Sequence, residues 1–368
     1  MHKLAWTGAN VFSGAYMLHA GLSLPAVFLA FAAIYGVRFV LRPLVLIIAP
    51  ALGLRQTLML GTLLLAMQYP VLAFVEGIDT ALLLYCLVNA LSTVLYMTSF
   101  HACFAALGDA ERRGSQVGVR QALGTLAGIA GPALGGVLLA TYGPLAAFGA
   151  AALIELFSIV PLLQTAPVPS PAGRATQVFA GSRTGVLLFA TDGWIVGTSI
   201  LGWNIFIFQA FDGRFDGLGG VLAAGAIAGA ISGLLLGHLI DIGHARRATA
   251  LNAAALGCVV LLKAVSAPDP AVVLAITVAA MFLGGLYVPL LMTAFYNVAK
   301  ASPSPLNFQF AAEGGWDVGA CLASVAAAVC LWEGAPLQLA IAFATPAVVL
   351  QACVLYRTYR ELPEASSG

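Results

Sequence analysis

A small set of charged side chains stands inside stretches otherwise free of charge. Arg38 and Arg42 are spaced i, i+4, which puts them on one face of a helix. Glu313 and Asp317 repeat that spacing within Ala312-Glu313-Gly314-Gly315-Trp316-Asp317. Asp192 opens the triplet Asp192-Gly193-Trp194, and Glu155 lies in a separate apolar run. A carboxylate shielded from water can hold a proton or a solute's polar group, and a guanidinium opposite it makes an ion pair that can form and break. Trp203, Asn204, Tyr287 and His19, with Asn10, Asn89, Tyr96 and Tyr296, offer aromatic faces and a few polar heads. That mixture suits an amphipathic organic molecule, although aromatic residues also serve as anchors at a membrane interface. Glu155 reads as one half of a structural pairing with a neighbour, and His19 reads equally as a satisfied polar residue.

The elements that carry these residues follow from composition. Of 368 residues 61% are hydrophobic and only 8% are charged, with mean hydropathy +0.98. Soluble domains carry roughly 25% charged residues, so this inventory cannot cover a water-facing surface, and lipid must solvate most of the exterior. The net charge of +1 comes with no basic run of the kind that grips nucleic acid. The six cysteines, Cys86, Cys103, Cys258, Cys321, Cys330 and Cys353, fall in apolar stretches without a CxxC pair, which points to packing instead of metal or disulfide chemistry. Nothing indicates a cofactor. No GxxxxGK[ST] loop, HExxH site, GxSxG elbow or DDxxD cluster occurs, so ATP-driven and enzymatic readings have no support.

Apolar runs against polar punctuation predict about twelve transmembrane helices at 4–21, 25–49, 56–75, 80–107, 115–142, 145–164, 185–211, 217–240, 247–266, 271–299, 305–332 and 336–358. Met1-His2-Lys3 enters the first run without an A-x-A cleavage site, which reads as a retained helix. The turns on one side hold Lys3, Arg55, Arg112, Arg113, Arg174, Arg183, Arg246, Arg247, Lys300, Arg357 and Arg360, eleven basic residues against two on the other, where Arg214 and Lys263 stand with Glu76, Asp79, Asp212, Asp216, Asp269 and Glu333. That bias makes the first side cytoplasmic and places both termini there. The polar stretch from Pro167 to Thr184 predicts a cytoplasmic linker (167–184) between an N-terminal six-helix half (1–166) and a C-terminal half (185–368). Gly53-Leu54-Arg55 and Gly243-His244-Ala245-Arg246-Arg247, about 190 residues apart, form a weak internal repeat.

Three patterns resemble the major facilitator superfamily of transporters. The segment from Gly237 to Arg247, with Asp241, Gly243, Arg246 and Arg247, is similar to the superfamily's signature loop. Its equivalent in the first half, Ala49 to Arg55, has Pro50 where the family carries Asp. Helix 5 carries Gly118, Gly128, Gly131-Pro132 and Gly135-Gly136. This is similar to an antiporter motif apart from Ala127 at one expected Gly, and it reads equally as a tight packing face. Glu111-Arg112-Arg113-Gly114 resembles the helix 4–5 turn.

The resemblance implies an all-α membrane fold of two pseudo-symmetric six-helix halves and a monomer in a bacterial inner (plasma) membrane. It implies that helices 1, 4, 7 and 10 line a cavity, making Asp192 a proton or substrate site. Helices 2 and 11 then face each other. Counted from the cytoplasmic ends, Arg42 and Glu313 lie about 7 and 8 residues deep and Arg38 and Asp317 about 11 and 12, level within roughly 2 Å. The expectation is a two-rung ladder, Arg42–Glu313 and Arg38–Asp317, that makes in one access state and breaks in the other. Asp241, Arg246, Arg247, Arg120, Gly131 and Pro132 are expected at a gate. The function expected is secondary active transport of a small organic solute, as proton-coupled export. Proton-coupled uptake, or a non-transporting assembly or receptor factor with the same fold, are the alternatives.

Overall fold

In the computed structural model the described residues are 1–107, 113–168, 182–236, 245–302 and 305–361, and among them every regular element is helical. The signature loop around Asp241 and the Glu111-Arg112 turn lie outside the described residues, as do the side chains of Arg120 and Arg246. Among the described residues ten helices are long and apolar enough to cross a membrane. One of these, Ala122–Leu163, is kinked where Gly143 takes φ 79° and ψ 177° before Pro144. The first expected helix is interrupted. It consists of α1 (His2–Ala9), a 3₁₀ turn (Asn10–Phe12) and α2 (Ser13–His19).

The chain continues through α3 (Leu24–Leu41), α4 (Leu44–Leu52), α5 (Leu54–Ala73), α6 (Thr80–Leu107), α7 (Arg113–Phe157) and α8 (Ile159–Leu163). After α9 (Arg183–Ile195) comes a π-helical turn (Val196–Ile200), then α10 (Leu201–Ala210) and α11 (Phe215–Leu236). The remainder is α12 (Ala245–Ala264), α13 (Pro270–Leu283), a 3₁₀ turn (Gly284–Leu286), α14 (Tyr287–Ala301), α15 (Pro305–Trp332), α16 (Leu337–Ala342) and α17 (Ala344–Glu361). Contacts divide the chain into two units: Met1–Arg174 with Asp212–Ala223, and Ala175–Phe211 with Ala224–Gly368. The first part of α11 therefore belongs to unit 1.

Local chemistry explains the starts of these helices. Asp79 accepts from the Leu82 N–H at 2.8 Å and from the Glu76 N–H at 3.0 Å, and these bonds hold its carboxyl below the usual range. Asp269 accepts from Ala271 and Val272 N–H at 2.9 and 3.0 Å, with Pro270 at the first helical position. Both are N-caps that satisfy otherwise orphaned amides. Where the first half carries Pro50, the turn is tied down elsewhere. Leu54 N–H donates to Val168 O at 2.9 Å and the Arg55 guanidinium to Thr165 O at 2.6 Å. Gly53 adopts φ 87°, ψ 154° there, a region open essentially to glycine alone.

Gly53→Ala is expected to lower unfolding stability in detergent by about 1–3 kcal/mol. Gly149→Ala meets nothing within 4 Å and should be neutral or stabilising by up to ~1 kcal/mol. Paired thermal melts check the contrast; equal melting points would refute the account of the turn.

Candidate functional site

Helix α9 can bring a carboxylate close to α15 because the contact surface is glycine. A Cβ on Gly193 would collide with the Trp316 carbonyl, and one on Gly319 with that of Ala190. Gly315 faces Val186 O in the same way. Small residues of this kind let helix backbones approach closely in lipid. Asp192, next to Gly193, thereby meets Trp316, whose Nε1–H donates to Oδ2 at 2.8 Å. The Tyr287 hydroxyl, from α14, donates to Oδ1 at 2.5 Å. Glu313, one turn before Trp316, is within electrostatic reach of the same carboxylate. Gln351 lies beside Tyr287 and donates from Nε2 to Leu188 O at 3.3 Å.

The floor of this site is aromatic. Phe189 stacks on Phe295 with centroids 4.3 Å apart, and Phe295 tilts against Phe308 at 5.2 Å. Tyr287, Trp316 and Tyr359 pack on that cluster. Asp192 itself is half-buried. The carboxylate accepts both bonds in its ionised form. A proton on Oδ1 turns that oxygen into a donor, and the Tyr287 hydroxyl, which can accept as well as donate, reverses its role, while the indole, a donor only, keeps Oδ2. Both helices that meet here are irregular at the meeting point. The π-helical turn begins four residues after Asp192, and the 3₁₀ turn Gly284–Leu286 ends at Tyr287. Such irregular turns inside helices recur at functional sites.

Asp192, Tyr287 and Glu313, nominated separately from the sequence, are thus brought together in unit 2. Asp317 lies on the same helix and is fully buried. Trp316 was passed over as a donor, because hydropathy does not reveal which indole faces which helix. Trp203 is elsewhere. Its Nε1–H donates to Thr277 Oγ1 at 2.9 Å, and the Lys263 ammonium sits 5.2 Å from its ring. Lys263 reads from sequence as a turn charge, yet it is buried on α12 (8% exposed). Asn204 is half-buried on α10.

In unit 1, Arg38 and Arg42 are both buried, at 7% and 2% exposure, and the Arg38 guanidinium lies 5.7 Å from the Tyr35 ring. His19 is exposed and edge-on to Phe215 at 5.3 Å. It lines an open cavity of about 610 Å³ with Tyr16, Glu76 and Phe215. Gly131 packs on Thr7 and Gly8, and the Pro132 carbonyl packs on Gly219. These two residues sit in close helix contacts, α7 with α1 and α7 with the first part of α11. Arg247 is exposed at the start of α12.

Asp192→Asn can set its oxygen to the indole and its N–H to the Tyr287 oxygen, so it loses only the charge-assisted strength of the two bonds and should cost about 1 kcal/mol. Asp192→Ala, which strands both donors, should cost more. Thermal unfolding of the purified protein measures both; equal stability of Asp192→Ala and the parent would remove the hydrogen-bonded carboxylate from the account.

Comparisons with known proteins bear on this architecture. A search of curated protein sequences finds no match. Among solved structures the fold is similar to nucleoside transporter NupG, with TM-score 0.68 and 14% identity, over 98% of this chain and 97% of that one. Its D323A mutant gives TM-score 0.62 at 13% identity over 97% and 98%. A bacterial homologue of the iron transporter ferroportin, in the inward-facing state, gives 0.63 at 16% over 97% and 95%. The family model that matches residues 1–324 is the Major Facilitator Superfamily, and with ten helices among the described residues long and apolar enough to cross a membrane the chain belongs to this superfamily of membrane transporters.

Proposed function

We propose that this multi-pass transporter moves a small organic solute by alternating access and couples its export to protons, as a monomer in a bacterial inner membrane with both termini cytoplasmic. The single observation that carries the reading is Asp192 held between the Tyr287 hydroxyl and the Trp316 indole. The ionised carboxylate, with two bonds accepted, has acceptor capacity left for a solute's N–H or O–H, and the surrounding aromatic rings supply contact area. A proton on Asp192 takes up that capacity, so proton and solute compete at one carboxylate, which is the requirement for exchange of one for the other. Glu313, in reach of Asp192, adds a second carboxylate to the same locality.

Opposite charges at the C-terminal end of α3 (Arg38, and Arg42 just past it) and on α15 (Glu313 and Asp317) supply the second part of the proposed cycle. Arg42 with Glu313 and Arg38 with Asp317 form the proposed ladder. If Glu313 takes part in both the ladder and the Asp192 site, then protonation near Asp192 and loosening of the ladder are one event. The loop with Asp241, Arg246 and Arg247, together with Arg120, completes the proposed gate.

Everted membrane vesicles holding an acid-inside gradient, challenged with a diverse compound library, test the transport reading. Compound-dependent loss of the gradient is expected, and it should fall at least about tenfold, equivalent to ~1.4 kcal/mol, in Asp192→Asn. A gradient indifferent to every compound, with the protein shown folded, would overturn proton-coupled export. The ladder makes a separate prediction. Arg42→Glu should abolish transport and Arg42→Glu combined with Glu313→Arg should restore part of it; a double variant as dead as the single removes the ladder.

A further inference from the structure

Unit 1 holds a second buried carboxylate that the Asp192 site does not use. Glu155, within the Ala122–Leu163 run, is fully buried (0% exposed). The His2 ring nitrogen Nδ1 lies 2.9 Å from Oε1 and 3.1 Å from Oε2. The His2 ring in turn packs on Tyr96, centroids 4.1 Å apart, and lies 5.9 Å from Trp6. From α5 the Tyr69 side chain is within electrostatic range of Glu155, and Tyr85 and Tyr96 of α6 lie close to Tyr69. Gln68, the residue before Tyr69, is fully buried and neither head of its amide meets a hydrogen-bond partner among the described residues. Among the described residues the titratable groups that meet Glu155 include His2 from α1 and Tyr69 from α5, with Tyr85 and Tyr96 of α6 close to Tyr69.

The identity of the partner decides what the pair can do. An arginine or lysine would keep a permanent charge opposite Glu155. A histidine is a cation only while it carries a proton on each ring nitrogen. With its proton on Nδ1 the ring donates to both carboxylate oxygens, at 2.9 and 3.1 Å. Loss of the imidazolium charge takes the cation away from a fully buried anion. Protonation of Glu155 sets an O–H against that N–H until the ring moves its own proton to Nε2 and accepts instead. Either change alters the bond that joins α1 to α7 at a fully buried carboxylate, a cost that movement of α1 against α7 relieves. The surface between those helices suits such movement. It is built from Gly8, Gly131 and Gly135, with the Thr7 hydroxyl donating to Ala127 O at 2.8 Å.

We propose that the His2–Glu155 pair is a second proton-binding site, separate from Asp192, whose occupancy is tied to the packing of α1 on α7. Its test needs no transported solute. The full chain, reconstituted in lipid, is titrated between about pH 9 and pH 4 while infrared difference spectra follow the carboxyl C=O stretch. Isotope labelling of glutamate carboxyls separates glutamate from aspartate bands. A glutamate band should appear on acidification, be lost in Glu155→Gln, persist in Asp192→Asn, and shift in position in His2→Asn because its hydrogen-bond partner has changed. A Glu155→Gln spectrum that superimposes on the parent, or a band unmoved in His2→Asn, overturns the proposal. Should Glu155→Gln fail to fold, His2→Asn decides alone, a moved band supporting the site and an unmoved one overturning it. Failure here leaves the Asp192 reading standing, since that carboxylate gives its own band.

Discussion

Hydrocarbon offers no hydrogen bonds, and every polar group in this protein has to be placed with that in view. Most hydroxyls in the spans meet the requirement inside their own helix. Thr57, Thr62, Thr191, Thr198, Thr277 and Thr358 each donate to the carbonyl four residues back, at 2.7–2.9 Å. Such bonds make a polar side chain tolerable but join nothing distant. Tyr287, Trp316 and His2 behave differently, reaching across the bundle to a carboxylate on another helix. Trp194 and Tyr16 also reach across, but to backbone carbonyls, Phe343 O and Ala73 O, where no proton can be taken up. Long-range bonding to a carboxylate is what distinguishes a site from a satisfied residue here.

Those reaches depend on backbones coming close. Gly193, Gly315 and Gly319 line the α9–α15 contact, and Gly8, Gly131 and Gly135 the α1–α7 contact. Both carboxylate sites therefore border surfaces in which a Cβ has no room. The association is physical. Where glycine brings two axes together, a short side chain such as Asp192 can bridge from one helix to the next, and with no large side chains interlocked the helices can shift. A well-interdigitated leucine contact would resist both.

The spans were legible from hydropathy because the bilayer demands length, and length survives in any apolar run. The same averaging hides what happens inside a run. The 3₁₀ turn at Asn10–Phe12 and the π turn at Val196–Ile200 leave no mark on it, since both are as apolar as the helices they interrupt. Gly284-Gly285 gave a hint of the third break, and only in retrospect. Asp79 and Asp269 were legible as turn charges, but their capping role needed the amide positions. Asp192 and Tyr287 were each singled out, yet their pairing joins positions 95 residues apart, and Glu155 finds His2 across 153. One sequence contains no record of which faces meet. Lys263 misled for a related reason. A lysine near a helix end ordinarily extends to water, and here Trp203 takes its ammonium instead.

The location of the irregular turns gives the Asp192 site a mechanical reading. Force at a regular helix interior is resisted by the whole i→i+4 ladder. At a π or 3₁₀ turn the ladder is already out of register, and a bend there gives up less hydrogen bonding. The Asp192–Tyr287 bond spans two such places, one just after the acceptor and one just before the donor. In the proposed cycle a proton arriving at Asp192 reverses the bond between α9 and α14 where both bend most easily. In a chain whose Trp316 donor comes from α15, the helix that also carries Glu313 and Asp317, the same event reaches the acidic pair without any further relay. Coupling of this kind needs no long pathway. It needs one carboxylate shared by two donors, only one of which, the tyrosine hydroxyl, can turn acceptor when the proton comes.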